Sequence, residues 1–135
     1  LIDPRRTYGL CDERTPHLLA WVEEVAACVG PFVEPGAGAC AACAYHARCE
    51  ADGAWANLAS QAALARPIGP TPAVRDLASA LGARAVMGFL EGAGNTLHDV
   101  QWRVPQGAQA PYLVSVPAHP SCGCIGDGFD APDGA

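Results

Sequence analysis

The seven cysteines are the residues of this chain best suited to chemistry, and four of them form two closely spaced pairs. Cys40 and Cys43 form a CxxC motif, and Cys122 and Cys124 form a CxC motif. Thiolates are soft donors, and two of them at either spacing can bind along one edge of a metal ion. Together the pairs supply the four donors of a tetrahedral zinc site. Because four thiolates leave no open coordination position, the sequence predicts a structural zinc ion.

The separation of the two pairs along the chain indicates whether the metal would stabilise a small local module or join distant segments. It is far longer than the spacing within a zinc finger or zinc ribbon, so a self-contained metal module is not expected. Closing a loop of about 80 residues costs roughly 4 kcal/mol. Zinc binding to a structural site contributes about 10–16 kcal/mol, which exceeds that cost. We therefore expect the metal to join two distant parts of one fold.

Two other interpretations of the paired cysteines stay open. A redox-active CxxC is disfavoured because no strand–helix–strand unit surrounds it, and unliganded buried thiols are the remaining alternative. Near the pairs, His46 and Cys49 are expected to pack on the helix that follows Cys43. His119 is expected to be a hydrogen-bond donor to the site or a surface residue rather than a ligand. Cys11 and Cys28 are expected to be core or free thiols.

The composition excludes several other functions. With 50% hydrophobic and 16% charged residues in 135, the chain can bury the core of one domain, which excludes wholesale disorder. A net charge of −6 argues against a nucleic-acid-binding surface. No apolar run approaches the roughly 18 residues of a membrane span. No export signal is visible, and the odd cysteine count argues against a disulfide framework, so we expect a reducing, cytoplasmic location.

The sequence identifies no catalytic or cofactor-binding residue. All eight basic residues are arginine, which excludes a P-loop lysine, a Schiff-base lysine and a Ser–Lys dyad. The segment 92–94 contains two glycines but follows a predicted helix, so a helix end is expected there rather than a phosphate loop. Glu23 and Glu24 are adjacent and point different ways, so both are expected at the solvated surface.

The elements that must position the cysteines can be read from periodicity. Short apolar or alternating runs predict four strands, at residues 17–22, 25–29, 100–104 and 112–116. Gly30–Pro31 is expected to end the second of them. Helices are predicted at residues 40–51, 54–65 and 71–91, with Asp52 and Thr71 as N-caps. The third helix carries the clearest apolar stripe, made of Val74, Leu77, Leu81, Ala85 and Phe89.

Three segments together resemble a known family. They are GPFVEPG at residues 30–36, ACAAC at 39–43 and HPSCGC at 119–124, with a Trp-containing segment and an Ala-rich helix between them. In this order they are similar to the E1-like, ThiF-type proteins that partner YcaO peptide cyclodehydratases in making thiazole/oxazole-modified microcins. These partners are also called ocin-ThiF-like or leader-peptide-binding components. The resemblance covers about residues 16–124.

The resemblance implies a fold and a zinc site. The fold is α/β, the C-terminal part of a Rossmann-like E1/ThiF domain with a mixed sheet. The implied zinc ligands are Cys40, Cys43, Cys122 and Cys124. Residues 1–124 would form this region, and residues 125–135 a flexible acidic tail.

The resemblance also implies partners. The YcaO protein uses ATP to activate a backbone amide, so that Ser, Thr or Cys side chains of a precursor peptide are cyclised to azolines. The E1-like protein supplies leader binding and docking, which makes contact of this chain with the peptide indirect. A homodimer is a further option; neither nucleic acid nor membrane is expected.

The departures from the family shape the expected role. The chain has no Gly-rich phosphate loop, no lysine and no winged-helix peptide-recognition element. We therefore expect the nucleotide-binding half to be missing from this sequence or lost, and this part to be a non-catalytic scaffold or docking surface. The alternatives are a fragment of an ATP-dependent E1-like adenylating enzyme and a stand-alone zinc interaction module.

Overall fold

The computed structural model describes residues 14–23, 25–62, 64 and 69–125. These residues form four strands: β1 His17–Val22, β2 Ala26–Val33, β3 Val100–Pro105 and β4 Tyr112–Ser115. Between β2 and β3 the described part of the chain forms three helices: α1 Ala41–Ala51, α2 Trp55–Ala62 and α3 Pro72–Leu90. All seven predicted elements are confirmed in type and approximate position, although β2 extends beyond its predicted end at residue 29. Cys11 and nearly all of the predicted acidic tail lie outside the described residues.

The four strands form one sheet in the order β1-β2-β3-β4, and each neighbouring pair is antiparallel. The α/β class is confirmed, but the mixed sheet implied by the resemblance is not what these strands form. For the β1–β2 and β3–β4 pairs the physical reason is the short connection, whereas β3 returns antiparallel to β2 after the three helices. A tight turn joins β1 to β2, with the Glu23 N–H donating to the Ala26 carbonyl at 2.8 Å, and a short loop joins β3 to β4. Such short connections permit only antiparallel pairing.

The two faces of the sheet are covered by different helices. Leu19, Trp21 and Cys28 pack with the start of α1, whereas their neighbours Ala27 and Val29 pack with α3. Successive strand residues point to opposite faces, so α1 and α3 lie on opposite sides. All eight residues of β2 are buried as a result. A strand covered on both faces explains the nearly uninterrupted apolar run in its sequence.

The face that α3 buries differs from the predicted stripe. The buried residues are Val74, Ala78, Gly82 and Ala85, while Leu77 is 42% exposed. Leu81 and Phe89 are only partly buried against this core. The reason is steric: a Cβ at Gly82 would lie 3.2 Å from Leu18 and 3.4 Å from Val29. The small residues therefore face the sheet and let the helix approach it closely.

β2 continues through Gly30 and Pro31, where the sequence predicted that it would end. In its pairing with β1, residues 29–32 of β2 lie opposite residues 18–20, so β2 contains an extra residue there. Such a bulge tolerates proline, which has no N–H to donate. Gly30 has a φ of 106° and precedes a cis peptide bond to Pro31. The strand therefore delivers Val33 to the core and continues toward the CxxC motif.

Replacing Gly30 with alanine is expected to destabilise the protein by about 2 kcal/mol or more. A Cβ at Gly30 would lie 2.7 Å from the Val100 carbonyl oxygen and 3.1 Å from the Gln101 Cα, both of which are backbone atoms, and the positive φ adds strain. Urea unfolding measures the effect. Gly53→Ala is the control, because nothing lies within 4 Å of a Cβ there. Equal stability of the two variants would contradict the close approach of β2 and β3.

Candidate metal centre

The first cysteine pair lies at the start of α1. Cys40 is the N-cap residue in an extended conformation, and Cys43 lies in the first turn, where the Ala44 N–H donates to the Cys40 carbonyl at 3.2 Å. This arrangement brings the two Sγ atoms to 3.8 Å from each other. Both residues are buried, and so are the alanines between them. The N-terminus of a helix also favours negative charge on the sulfurs.

The second pair reaches the first through a turn after β4. The Cys122 N–H donates to the His119 carbonyl at 3.0 Å, and Gly123 has a φ of 70°. A positive φ lets the chain reverse between the two cysteines, and glycine adopts it at little cost. Cys122 Sγ lies 3.4 Å from Cys40 Sγ, and Cys124 Sγ lies 3.3 Å from Cys43 Sγ.

All four sulfurs lie within 4.8 Å of one another. We call this group the thiolate cluster. Four sulfurs bound to zinc at about 2.3 Å form a tetrahedron with edges of about 3.8 Å, close to the separations found here. None of the four sulfurs is in a disulfide bond, and among the described residues no other group of three or more metal-binding side chains meets this distance criterion. Both the donors and their geometry therefore fit a zinc ion.

The electrostatics of the cluster also favour a cation. Burial raises the pKa of Cys122 to about 12, and hydrogen bonding with Cys40 together with burial raises the pKa of Cys43 to about 12. Four crowded sulfurs cannot all carry negative charge without a positive charge among them. A divalent ion supplies that charge and displaces the protons on binding.

The other cysteine and histidine residues near the motifs fall outside the cluster. The rings of His46 and His119 stack with their centroids 4.7 Å apart. His119 donates its backbone N–H to Cys43 Sγ at 3.2 Å, which matches the expected role as a donor. Cys28 is a buried core thiol as expected, and burial, with the nearby charge of Glu23, raises its pKa to about 11.

Sequence reasoning missed Asp99, which binds the backbone next to Cys40 although it is distant in sequence. Its Oδ1 accepts a hydrogen bond from the Ala39 N–H at 2.6 Å, and its carbonyl accepts one from the Val116 N–H at 2.7 Å. Asp99 thereby ties the segment before Cys40 to the segment that leads to the second pair. Its φ of 55° is a conformation that aspartate tolerates better than most residues. An isolated aspartate offers no local signal for such a role.

The surface position predicted for Glu23 is wrong. Glu23 is buried, forms ion pairs with Arg48 at 2.6 Å and Arg103 at 2.8 Å, and accepts a hydrogen bond from the Trp21 ring N–H at 3.2 Å. The guanidinium of Arg48 also lies over the Trp55 ring, 5.3 Å from its centroid. A buried carboxylate needs such partners to offset its desolvation. The arginines come from α1 and β3, so this network locks α1 onto the sheet.

Comparisons with known proteins bear on the fold. No protein-family model matches the chain, and no curated protein sequence does either. Among solved structures, the chain is similar to E. coli MccB crystallised with AMPCPP and selenomethionine-labelled MccA, with a TM-score of 0.66, 17% identity, and coverage of 93% of this chain and 36% of that one. It shares the E1-like fold of part of MccB.

Two further MccB structures give the same result. The complex with ATP has a TM-score of 0.61 and the complex with succinimide one of 0.57, both at 17% identity over 93% of this chain and 34% of MccB. The chain therefore spans about a third of the length of MccB. At this identity the likeness establishes the fold alone. In the described residues no helix is both long and apolar enough to cross a bilayer.

Proposed function

We propose that this chain is the zinc-braced C-terminal region of an E1-like protein that acts in the cytoplasm on a ribosomally made precursor peptide. The observation that carries the proposal is the thiolate cluster, formed by two distant segments within a fold shared with MccB. Four thiolates leave zinc no site for substrate, so the role of this region is structural. It holds α1 and the segment after β4 together and so maintains the surface that they form.

The fold likeness favours an adenylating protein as the whole. MccB has been crystallised with ATP, and with AMPCPP together with MccA. This chain contains neither a lysine nor a Gly-rich phosphate loop. In this proposal, nucleotide chemistry belongs to another part of the protein, and this region supports it through packing.

The sequence motifs favour the second candidate, a non-catalytic partner of a YcaO cyclodehydratase. The supporting observation is the order of GPFVEPG, CxxC and HPSCGC in one chain. In this case the YcaO protein activates the peptide amide with ATP, and the E1-like protein supplies docking. Contact of this region with the precursor peptide is then indirect, and a homodimer is one way to present the docking surface.

Two measurements on the full-length protein separate the candidates. An adenylating protein should exchange labelled pyrophosphate into ATP when the precursor peptide is present. A YcaO partner should show no exchange and should retain a purified YcaO protein in a pull-down. Cys122→Ser is the matched variant, because loss of the brace should weaken either readout. Failure of both readouts in the zinc-loaded wild type would leave only the stand-alone zinc module.

A further inference from the structure

We propose that His119 is a positioning residue that holds the second cysteine pair against α1 and slows release of the metal. The inference rests on the proposed zinc site. It goes beyond that site by assigning the control of metal release to a residue that binds no metal.

The backbone of His119 contacts one cysteine of each pair. Its N–H donates to Cys43 Sγ at 3.2 Å, and its carbonyl accepts from the Cys122 N–H at 3.0 Å. Donation to a thiolate is a charge-assisted hydrogen bond, stronger than a neutral one. The position of this one residue therefore affects the charge on the first pair and the turn that delivers the second.

The side chain holds that backbone in place. Nδ1 accepts a hydrogen bond from the Ser121 N–H at 3.1 Å, so the ring proton lies on Nε2, which is 2.8 Å from Glu50 Oε1. The His119 ring also stacks on His46 with an interplanar angle of 20°, and its side chain is only 14% exposed. Glu50 and His46 both belong to α1, the helix that carries Cys43. Nε2 and one ring face thus attach the turn to α1, and Nδ1 fixes the ring to the turn itself.

Burial of the four cysteines indicates which step the attachment controls. Cys40 and Cys43 are buried, whereas Cys122 and Cys124 are half-buried. Because the second pair is more exposed, we expect it to separate first when metal leaves. Attachment of its turn to α1 keeps these two sulfurs near the metal and favours rebinding.

The test is the rate of zinc release to excess chromogenic chelator from the full chain. His119→Ala should release zinc about 10–100-fold faster, because loss of a residue that orients metal ligands typically lowers metal affinity by about that factor. His119→Asn should release it at an intermediate rate, because an asparagine oxygen can still accept from the Ser121 N–H but cannot reach Glu50. Glu50→Gln should accelerate release less than His119→Ala. Glu91→Gln, an exposed change at the end of α3, is the control and should leave the rate unchanged.

Cobalt substitution separates positioning from general destabilisation. The cobalt-loaded His119→Ala variant should keep four-thiolate absorption bands at a temperature where it remains folded, while losing cobalt faster. If His119→Ala releases zinc at the wild-type rate while Cys122→Ser binds none, the role of His119 is overturned and the metal site stands. If wild-type protein binds no zinc, both proposals fall.

Discussion

Replacing Cys122 with serine is expected to abolish zinc binding and to unfold much of the chain. Zinc bound by a structural site contributes about 10–16 kcal/mol, whereas a domain's net stability is about 5–15 kcal/mol. If loss of one thiolate abolishes zinc binding, the free energy lost should therefore be comparable with the whole free energy of unfolding. Native mass spectrometry should show one zinc per wild-type chain and none in the variant. Thermal unfolding followed by circular dichroism should show the loss of the cooperative transition.

The matched control is Cys49→Ser, which changes a partly buried cysteine on α1 that lies outside the thiolate cluster. This variant should retain zinc and a near-native melting temperature. Chelator treatment of the wild type should reproduce the effect of Cys122→Ser. A metal-stripped wild type that melts at the same temperature as the zinc-loaded protein would refute the structural role of the metal.

Replacing Glu23 with glutamine is expected to cost about 3–5 kcal/mol, the range for breaking a buried ion pair on one side. The change leaves Arg48 and Arg103 without their carboxylate, and their side chains are only 19% and 22% exposed. Because Arg48 extends from α1, the contact between that helix and the sheet should weaken. Urea denaturation at neutral pH measures the change in unfolding free energy.

Asp76→Asn is the control for Glu23→Gln. It breaks the pair between Arg75 and Asp76, whose atoms lie 3.6 Å apart with side chains 63% and 75% exposed. Exposed pairs contribute about 0–1 kcal/mol, so the control should change little. Similar losses in both variants would show that the Glu23 network does not attach α1 to the sheet.

These effects meet at one structural junction, where α1 contacts the sheet and the segment after β4. The Glu23 network holds one side of α1, and Asp99 and His119 hold the segments that carry the two cysteine pairs. A defect in the network should therefore also weaken zinc binding, although less than loss of a cysteine. Zinc content of Glu23→Gln at a temperature where it remains folded tests this connection.

Local sequence signals were sufficient for the elements of this fold. Apolar periodicity predicted all four strands and three helices, because the repeat of buried positions reflects the geometry of each element. Thr71 is the N-cap residue of α3 as predicted, whereas Asp52 lies in the turn before α2, where its Oδ1 accepts from the Ala54 N–H at 2.9 Å. Cysteine spacing likewise indicated two chelating pairs, because chelation by neighbours depends mainly on their separation along the chain.

Only the tertiary structure decided how these elements meet. It turned Glu23 from an expected surface residue into the centre of a buried network, because its partners Arg48 and Arg103 are distant in sequence. In the structure α3 packs Gly82 rather than Leu77 against the sheet, because the space between helix and sheet depends on the side chains of β1 and β2. The sequence showed the cysteines as two motifs, but the approach of all four sulfurs to within 4.8 Å depends on long-range contacts. Local periodicity carries no information about such contacts, because they form only when distant segments pack together.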